Sequence, residues 1–345
     1  MFNCGNNNVK CNMWRNLEGE GGSLSYDLSK YLVIGISSRA LFDLSYENSI
    51  YETEGLEAYS KYQIEHEEEI LKPGTGFALI KAILQLNNLA PKKRKTEVIV
   101  MSRNSADTSL RIFNSIEHYG LDISRAALTG GASLVPYLEA FKVDLFLSAS
   151  EQDVQDAIDA GNAAGLIYAP PGEFQAGIDQ IRIAFDGDAV LFSAESEIIY
   201  KKSGLEAFQE HEKKNAKKLL QEGPFAKLLK TLSYLQFEVK QDTPPIRIAL
   251  VTARNTPAHE RVIRTLREWK VRVDESFFLG GISKEKILKA FGAHIFFDDQ
   301  SIYCEPASKL VPSARVLYRT KDKEKLSQLS IQADTSKDEA KGIKI

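Results

Sequence analysis

The sequence predicts an α/β protein built from two tandem, related domains, each with a mainly parallel sheet. Two observations predict it. Short β-rich runs alternate with stretches of helical period, which is the pattern of parallel strands joined by helical crossovers. The second half of the chain also repeats the first, and such a repeat bears on every later assignment.

The β-rich runs fall at 31–36, 97–101, 145–147, 181–185, 246–251 and 294–297. The repeat links "SSRALFD" around Phe42 with "GDAVLFS" around Phe192, and "EGLEAYSKYQ" from Glu54 with "SGLEAFQEHE" from Ser203. Gly74 pairs with Gly223, "VIVMSRN" with "IALVTAR", "LTGGAS" with "FLGGIS", and "LEAFKVDLFLSA" with "LKAFGAHIFFDD". The separation is 150 residues, slipping to 149 in the helical stretch. The turn Ala169-Pro170-Pro171-Gly172 marks the boundary, because Pro and Gly punctuate linkers. The organisation expected is a polar tail over 1–29, domains over 30–172 and 173–318, and a Lys/Asp/Ser-rich tail over 319–345. Residues from about 194 to 242 are charged and helix-rich, an insertion within the second unit.

Bulk properties exclude several classes. The 345 residues suit two domains, and 43% hydrophobic with 26% charged content is ordinary for a globular chain. A net charge of −3 offers no basic field for nucleic acid. Cys4, Cys11 and Cys304 are too few and too scattered for a disulfide framework or a zinc site, which suggests a reduced, cytoplasmic setting. The first 30 residues lack the apolar core of a signal peptide, and no apolar run reaches the ~18 residues that span a bilayer. The histidines show no metal spacing, and Lys213 to Lys218 read as a solvated helix face.

The chemistry-bearing residues cluster at strand ends of the second half. The run 181–185 leads into Asp186-Gly187-Asp188. Ligands of open α/β sheets bind beyond the carboxyl ends of strands, so these carboxylates stand where a ligand would, although the same residues also fit a solvated turn. The run 246–251 ends in Thr252-Ala253-Arg254; Thr252 fits a phosphate contact or a helix cap, and Arg254 a substrate contact or a local ion pair. Lys284 follows Gly280-Gly281, and 294–297 ends in Asp298-Asp299. Carboxylates with a hydroxyl and a lysine in one cleft suit Mg²⁺, a hard cation held by carboxylates, water and substrate phosphate.

"FDGDAV", "LVTAR", the lysine of "GGISK" and "FFDDQ" together resemble the four motifs of the haloacid dehalogenase (HAD) superfamily of phosphotransferases. More narrowly, "AFDGDAVLFS", "VTAR", "HIFFDDQ" and the first-half "GISSRALF" look like the cytosolic type I 5'-nucleotidases, over residues 31 to 318. The resemblance implies two HAD-like, Rossmann-like domains, the insertion forming a helical cap in the second. It implies hydrolysis of a nucleoside monophosphate, with Asp186 as nucleophile, Asp188 as acid and base, and Thr252 and Lys284 on the phosphoryl oxygens. Mg²⁺ would sit against Asp186, Asp188 (through its carbonyl), Asp298 and Asp299, with Gly187, Ala253 and Arg254 near substrate. A homo-oligomer and a nucleotide effector are compatible with it; a nucleic-acid or membrane partner is not expected.

Laid on the repeat by sequence, Asp186 falls on Ile36, Asp188 on Ser38, Thr252 on Ser102, Lys284 on Leu134, and Asp298 and Asp299 on Ser148 and Ala149. The first unit is therefore expected to be catalytically inactive. Its polar strand ends suit a structural partner, a pocket wall or a regulatory site.

Overall fold

The structure is a computed structural model that describes residues 27–89, 94–172, 180–238 and 244–323. Cys4, Cys11 and most of both expected tails lie outside the described residues. The first half contains β1 (Leu32–Ile36), α1 (Ser38–Leu41), β2 (Phe42–Asp43), α2 (Ser45–Glu54), α3 (Leu56–Glu65), β3 (Lys72–Pro73) and α4 (Phe77–Leu89). It continues with β4 (Thr96–Ser102), α5 (Leu110–His118), β5 (Arg125–Leu128), α6 (Val135–Ala140), β6 (Leu145–Ser148), α7 (Glu151–Asp159) and β7 (Ala164–Ile167). The second half contains β8 (Ile181–Phe185), α8 (Glu195–Lys214), α9 (Ala226–Glu238), β9 (Ile246–Thr252), α10 (His259–Glu268) and β10 (Glu275–Phe278). It closes with α11 (Glu285–Phe291), β11 (Ile295–Asp298), α12 (Ser301–Ser308) and β12 (Ser313–Arg315).

The expectation of a mainly parallel α/β architecture holds. All ten long-sheet strands lie in one sheet, ordered β10-β9-β8-β11-β12-β7-β6-β1-β4-β5. Each half contributes five strands in the same order, parallel throughout. The halves meet where β12 pairs antiparallel with β7, Ala314 opposite Ile167. Because equivalent strands pair antiparallel at this seam, the two sets run in opposite directions. Their carboxyl ends therefore lie on opposite edges of the sheet, and the strand-end loops of the first half cannot wall the cleft of the second.

Central strands bury both faces, which is why they read as continuous apolar runs rather than alternating ones. Every residue of β1, β4 and β6 is buried. In the second half Phe297 stacks on Phe185 with ring centroids 5.5 Å apart and meets Phe225 at 4.8 Å. Lys95 binds Glu238 at 2.5 Å and Lys227 binds Asp144 at 3.1 Å, tying α9 to the first half.

The structure corrects one pairing of the repeat. The Ser37 N–H donates to Leu147 O, and the Asp186 N–H donates to Phe297 O, so Asp186 is the counterpart of Ser37, not of Ile36. The 150-residue phase resumes at Leu41 and Leu191, whose carbonyls accept the Gly74 and Gly223 N–H groups. One residue, Gly187, is thus inserted between the two aspartates. The loop it opens carries Ala189 at φ 61°, in the left-handed region that costs a non-glycine residue about 1–2 kcal/mol. Sequence alignment alone spreads that slip invisibly across a five-residue strand.

The helical insertion is also not peculiar to the second half. In the first, α2 and α3 meet at Gly55 with φ 87°; in the second, α8 bends at Gly204 with φ 79°. The remainder of the expected cap, α9, lies on the sheet with Leu228, Leu229 and Leu232 buried.

Gly223 admits no side chain: an added Cβ would stand 2.3 Å from Phe192 O and 2.5 Å from Val190 O. Overpacking against backbone typically costs ~1–3 kcal/mol, so Gly223→Ala should lower the unfolding free energy measured in urea by about that much or more. Gly204→Ala meets open space, and its cost of about 1–3 kcal/mol comes from backbone strain at φ 79° alone. A Gly223→Ala protein as stable as wild type in urea titrations would contradict this packing.

Candidate active site

The carboxyl edge of the second half brings most of the singled-out residues together. Asp186 follows β8, Thr252 ends β9, Asp298 ends β11, and Lys284 stands at the start of α11. Asp186, Thr252, Lys284, Asp298 and Asp299 are all buried, and Lys284 is only 2% exposed. Such burial of charge is tolerated only when the charges are paired.

Lys284 supplies the pairing. Its Nζ donates to Asp186 Oδ1 at 2.5 Å and to Asp298 Oδ2 at 2.6 Å. It also lies 4.4 Å from the ring centre of Tyr303. The Gln300 N–H donates to Asp298 Oδ1 at 2.9 Å. Tyr318 donates its hydroxyl to Asp299 Oδ2, while Asp299 Oδ1 is buried without a partner. Carboxylate oxygens of Asp186, Asp298 and Asp299 lie within 4.8 Å of one another.

The electrostatics follow. Burial pushes the Asp186 carboxyl up to about 7, helped by the charges of Asp298 and Asp188 and opposed by Lys284. Burial likewise raises Asp298, and it raises Asp299 well above the usual carboxylate range, reinforced by Asp298 and Asp186. Burial alone would lower Lys284, but Asp186 and Asp298 outweigh it and hold the ammonium above its ordinary value. Three crowded carboxylates, one with an orphaned oxygen, are short of positive charge; a hard divalent cation is what such a donor set accommodates.

Asp188 and Arg254 form a second group. Arg254 Nε donates to Asp188 Oδ2 at 2.7 Å and Nη2 to Oδ1 at 2.6 Å, a two-pronged pair. Nη1 reaches Glu212 at 2.6 Å and Nη2 also reaches Ser196 at 2.7 Å. Of the two sequence readings of Arg254, the local ion pair is the one in this geometry. Gly187 is buried, where an added Cβ would stand 3.4 Å from the Thr252 hydroxyl. The Thr252 Oγ1 accepts the Arg254 N–H at 3.3 Å, and Ala253 is exposed between them.

Sequence reasoning missed Glu212, Ser196, Tyr303 and Tyr318. Glu212 stands immediately before the run from Lys213 to Lys218 that reads as a solvated face, and Lys213, Lys214, Lys217 and Lys218 are indeed exposed. The available signal was its spacing: Glu212 lies four residues from Phe208, on the same helix face, and both are buried. A concave site of about 470 Å³, lined by Leu28, Tyr31, Lys142 and Lys227 among others, includes none of these groups. We place the chemistry with the buried charges, because a cavity without convergent functional groups offers none.

A family model described as 5'-nucleotidase matches residues 24–323. Human cytosolic 5'-nucleotidase 1B is 39% identical over 289 residues, covering 81% of this chain and 47% of that protein. The chain thus spans about half the length of this curated relative. Among solved structures, histidinol dehydrogenase from Elizabethkingia anophelis aligns with 10% identity and a TM-score of 0.20, over 87% of this chain and 76% of that one. So low a score carries no argument. Among the described residues, no helix is long and apolar enough to cross a membrane.

Lys284→Met should destabilise the metal-free protein by about 3–5 kcal/mol, because it strands buried carboxylates. Adding Asp298→Asn should recover part of the loss. Denaturant titrations in chelator measure both; a neutral Lys284→Met would mean that the pairing is not what stabilises the buried aspartates.

Proposed function

The chain belongs to the 5'-nucleotidase family, and from that premise we propose that it hydrolyses nucleoside 5'-monophosphates through an aspartyl-phosphate on Asp186, with Mg²⁺ as cofactor. The observation that carries the reading is the buried Asp186 beside Lys284, Asp298 and Thr252, at strand ends of one half only. We also take the two halves as HAD-like domains, inactive over 30–172 and catalytic over 173–318.

Asp186 is the natural nucleophile. A carboxylate oxygen attacks phosphorus, the bond to the ribose oxygen breaks, and an acyl phosphate forms. Attack needs the ionised form, which Lys284 favours against burial. Lys284 and the Thr252 hydroxyl would bind phosphoryl oxygens, where transition-state charge accumulates. Asp186, Asp298 and Asp299 would hold Mg²⁺, together with the Asp188 carbonyl, and the orphaned Asp299 oxygen fits that role. When bound, the ion neutralises charge between carboxylate and phosphate.

Asp188 would carry the proton transfers. It protonates the departing ribose oxygen, then accepts a proton from the water that cleaves the acyl phosphate. Ser37, in the position of Asp186, instead accepts the Ala40 N–H at 3.2 Å as a helix cap. Ser38 Oγ lies 3.2 Å from Ser102 Oγ, and no carboxylate replaces Asp298. The first half therefore has neither nucleophile nor cation site of this design.

Phosphate release should be measured on nucleoside monophosphates and sugar phosphates, with Mg²⁺ and with chelator. Nucleotides should be preferred and chelator should abolish turnover; release from sugar phosphates alone would overturn the substrate assignment. Asp186→Asn should lower kcat by about 10⁴-fold or more, as loss of a covalent nucleophile does elsewhere. Asp188→Asn should lower it by about 10²–10⁴-fold. Ser38→Ala should change it less than about twofold, because Ser38 lies in the other half and shares no partner with Asp186.

A further inference from the structure

Asp188 presents a difficulty for acid catalysis. Both of its oxygens accept N–H bonds from Arg254, so neither carries a hydrogen that could be donated along those directions. Arg254 is itself fixed at its far side by Glu212 and Ser196 of α8. Its guanidinium lies 5.5 Å from the ring centre of Phe208, also on α8. Glu212 receives a second arginine, Arg261, at 2.9 Å, and His211 Nδ1 lies 3.3 Å away. Arg254, Glu212, Ser196 and Arg261 are each at most 4% exposed. The proposed acid–base residue is therefore wired to the helical insert through a dry, charged chain.

The sister half shows which links of this chain the fold needs. Arg111, the counterpart of Arg261, donates through Nε to Glu69 O, as Arg261 does to Lys218 O. Both arginines also bind a buried glutamate, Glu47 in one half and Glu212 in the other. That anchor is common to both halves and is structural. The rest differs as a set. Where the active half has Asp188, Arg254 and Glu212, the sister half has Ser38, Asn104 and Gln63, all neutral. Asn104 and Gln63 each bind Tyr59, the counterpart of Phe208, at 3.0 Å. The same helix packing is thus achieved without any of the three charges. The Asp188–Arg254 ion pair, present only beside Asp186, is not required to dock the insert.

We propose that Arg254 is a positioning residue for Asp188, orienting its carboxylate beside Asp186 and tying that orientation to α8 through Glu212 and Ser196. The inference rests on the acid–base reading of Asp188 above. Arg254 acts through Asp188 rather than by touching substrate: its three nitrogens are already engaged, and its side chain is only 2% exposed. For Asp188 to donate a proton, one prong of the pair must open. The partners that retain the guanidinium while it opens are Glu212 and Ser196 on α8 and the Ala258 carbonyl, so movement of the insert bears directly on release of the acid.

A double-mutant cycle tests this. Arg254→Lys keeps the charge but loses the fork, and Arg254→Asn with Phe208→Tyr installs the Asn104–Tyr59 pair that the sister half already packs while leaving the Glu212–Arg261 anchor in place. Each should lower kcat for a nucleoside monophosphate by about 10²-fold, in the range of lost acid–base help. KM should change less than about threefold, because substrate is not contacted. In the Asp188→Asn background the same changes should lower kcat no further than about twofold, since residues acting as a unit are non-additive. Losses that multiply in that background, or a KM effect larger than the kcat effect, would overturn the proposal. Thermal unfolding of every variant guards against simple misfolding: the neutral pair should melt within a few degrees of wild type, and a collapse of its folded state would make the Asp188–Arg254 pair structural and refute the inference. Wild type separates the two readings. If it releases no phosphate from nucleotides, the hydrolytic assignment falls; if it does and the cycle is additive, only the positioning role falls.

Discussion

Lys284 occupies the position on which the second half turns. Its ammonium lies between Asp186 and Asp298, in a place where neither carboxylate has enough water to be charged cheaply. Burial raises both acids, and Lys284 is the internal cation that opposes the rise. The sequence devotes a helix start to it: the Gly280-Gly281 turn, at φ 57° and 95°, delivers Lys284 to the beginning of α11. The sister half makes the same turn at Gly130 and Gly131 but delivers Leu134, which is buried at 2% exposure. One backbone thus serves an ionic centre in one half and an apolar core in the other. The choice follows from the neighbours: a buried lysine without aspartates, or aspartates without the lysine, would each be prohibitively costly.

The antiparallel seam sets the division of labour between halves. Joining equivalent edge strands, β7 and β12, covers two sheet edges that would otherwise expose unpaired backbone groups. It also turns one strand set over relative to the other. What the first half contributes near the carboxyl edge of the second is therefore the opposite end of its own elements. Asp159, at the end of α7, accepts the N–H of Thr320 at 2.8 Å just beyond β12, and Gln155 donates to Tyr318 O at 3.0 Å. Tyr318 in turn binds Asp299. The first half thereby supports the carboxylate cluster from behind through the seam, rather than facing it.

The two arginine systems show how a repeat separates folding from chemistry. Burial alone would raise Glu212, yet Arg254 and Arg261 outweigh it and hold its carboxyl below the usual range. Of these partners, Arg261 has a counterpart in both halves and Arg254 does not. A comparison inside one chain shares solvent, folding history and neighbours. It isolates the charges that accompany the aspartates more cleanly than burial or hydrogen bonding could by themselves.

Much of this was legible in the sequence, and for definite reasons. Strand ends collect ligand-binding groups in open α/β sheets, so Asp186, Thr252 and Asp298 could be placed from period and polarity alone. The repeat exposed the asymmetry between halves, because a lost carboxylate is visible as a letter. Three things were not legible. The insertion of Gly187 shifted the counterpart of Asp186 from Ile36 to Ser37, and only hydrogen-bond register reveals a one-residue slip within a strand. The direction of the seam is decided by the pairing of β7 with β12, two short strands whose sequences do not encode relative orientation. The partner of Asp188 is decided by Glu212, 24 residues further along, and by Arg254, 66 residues away, meeting on a helix face. A sequence lists which charges exist; which of them are brought out of water together, and must therefore pair, is settled only when the chain is folded.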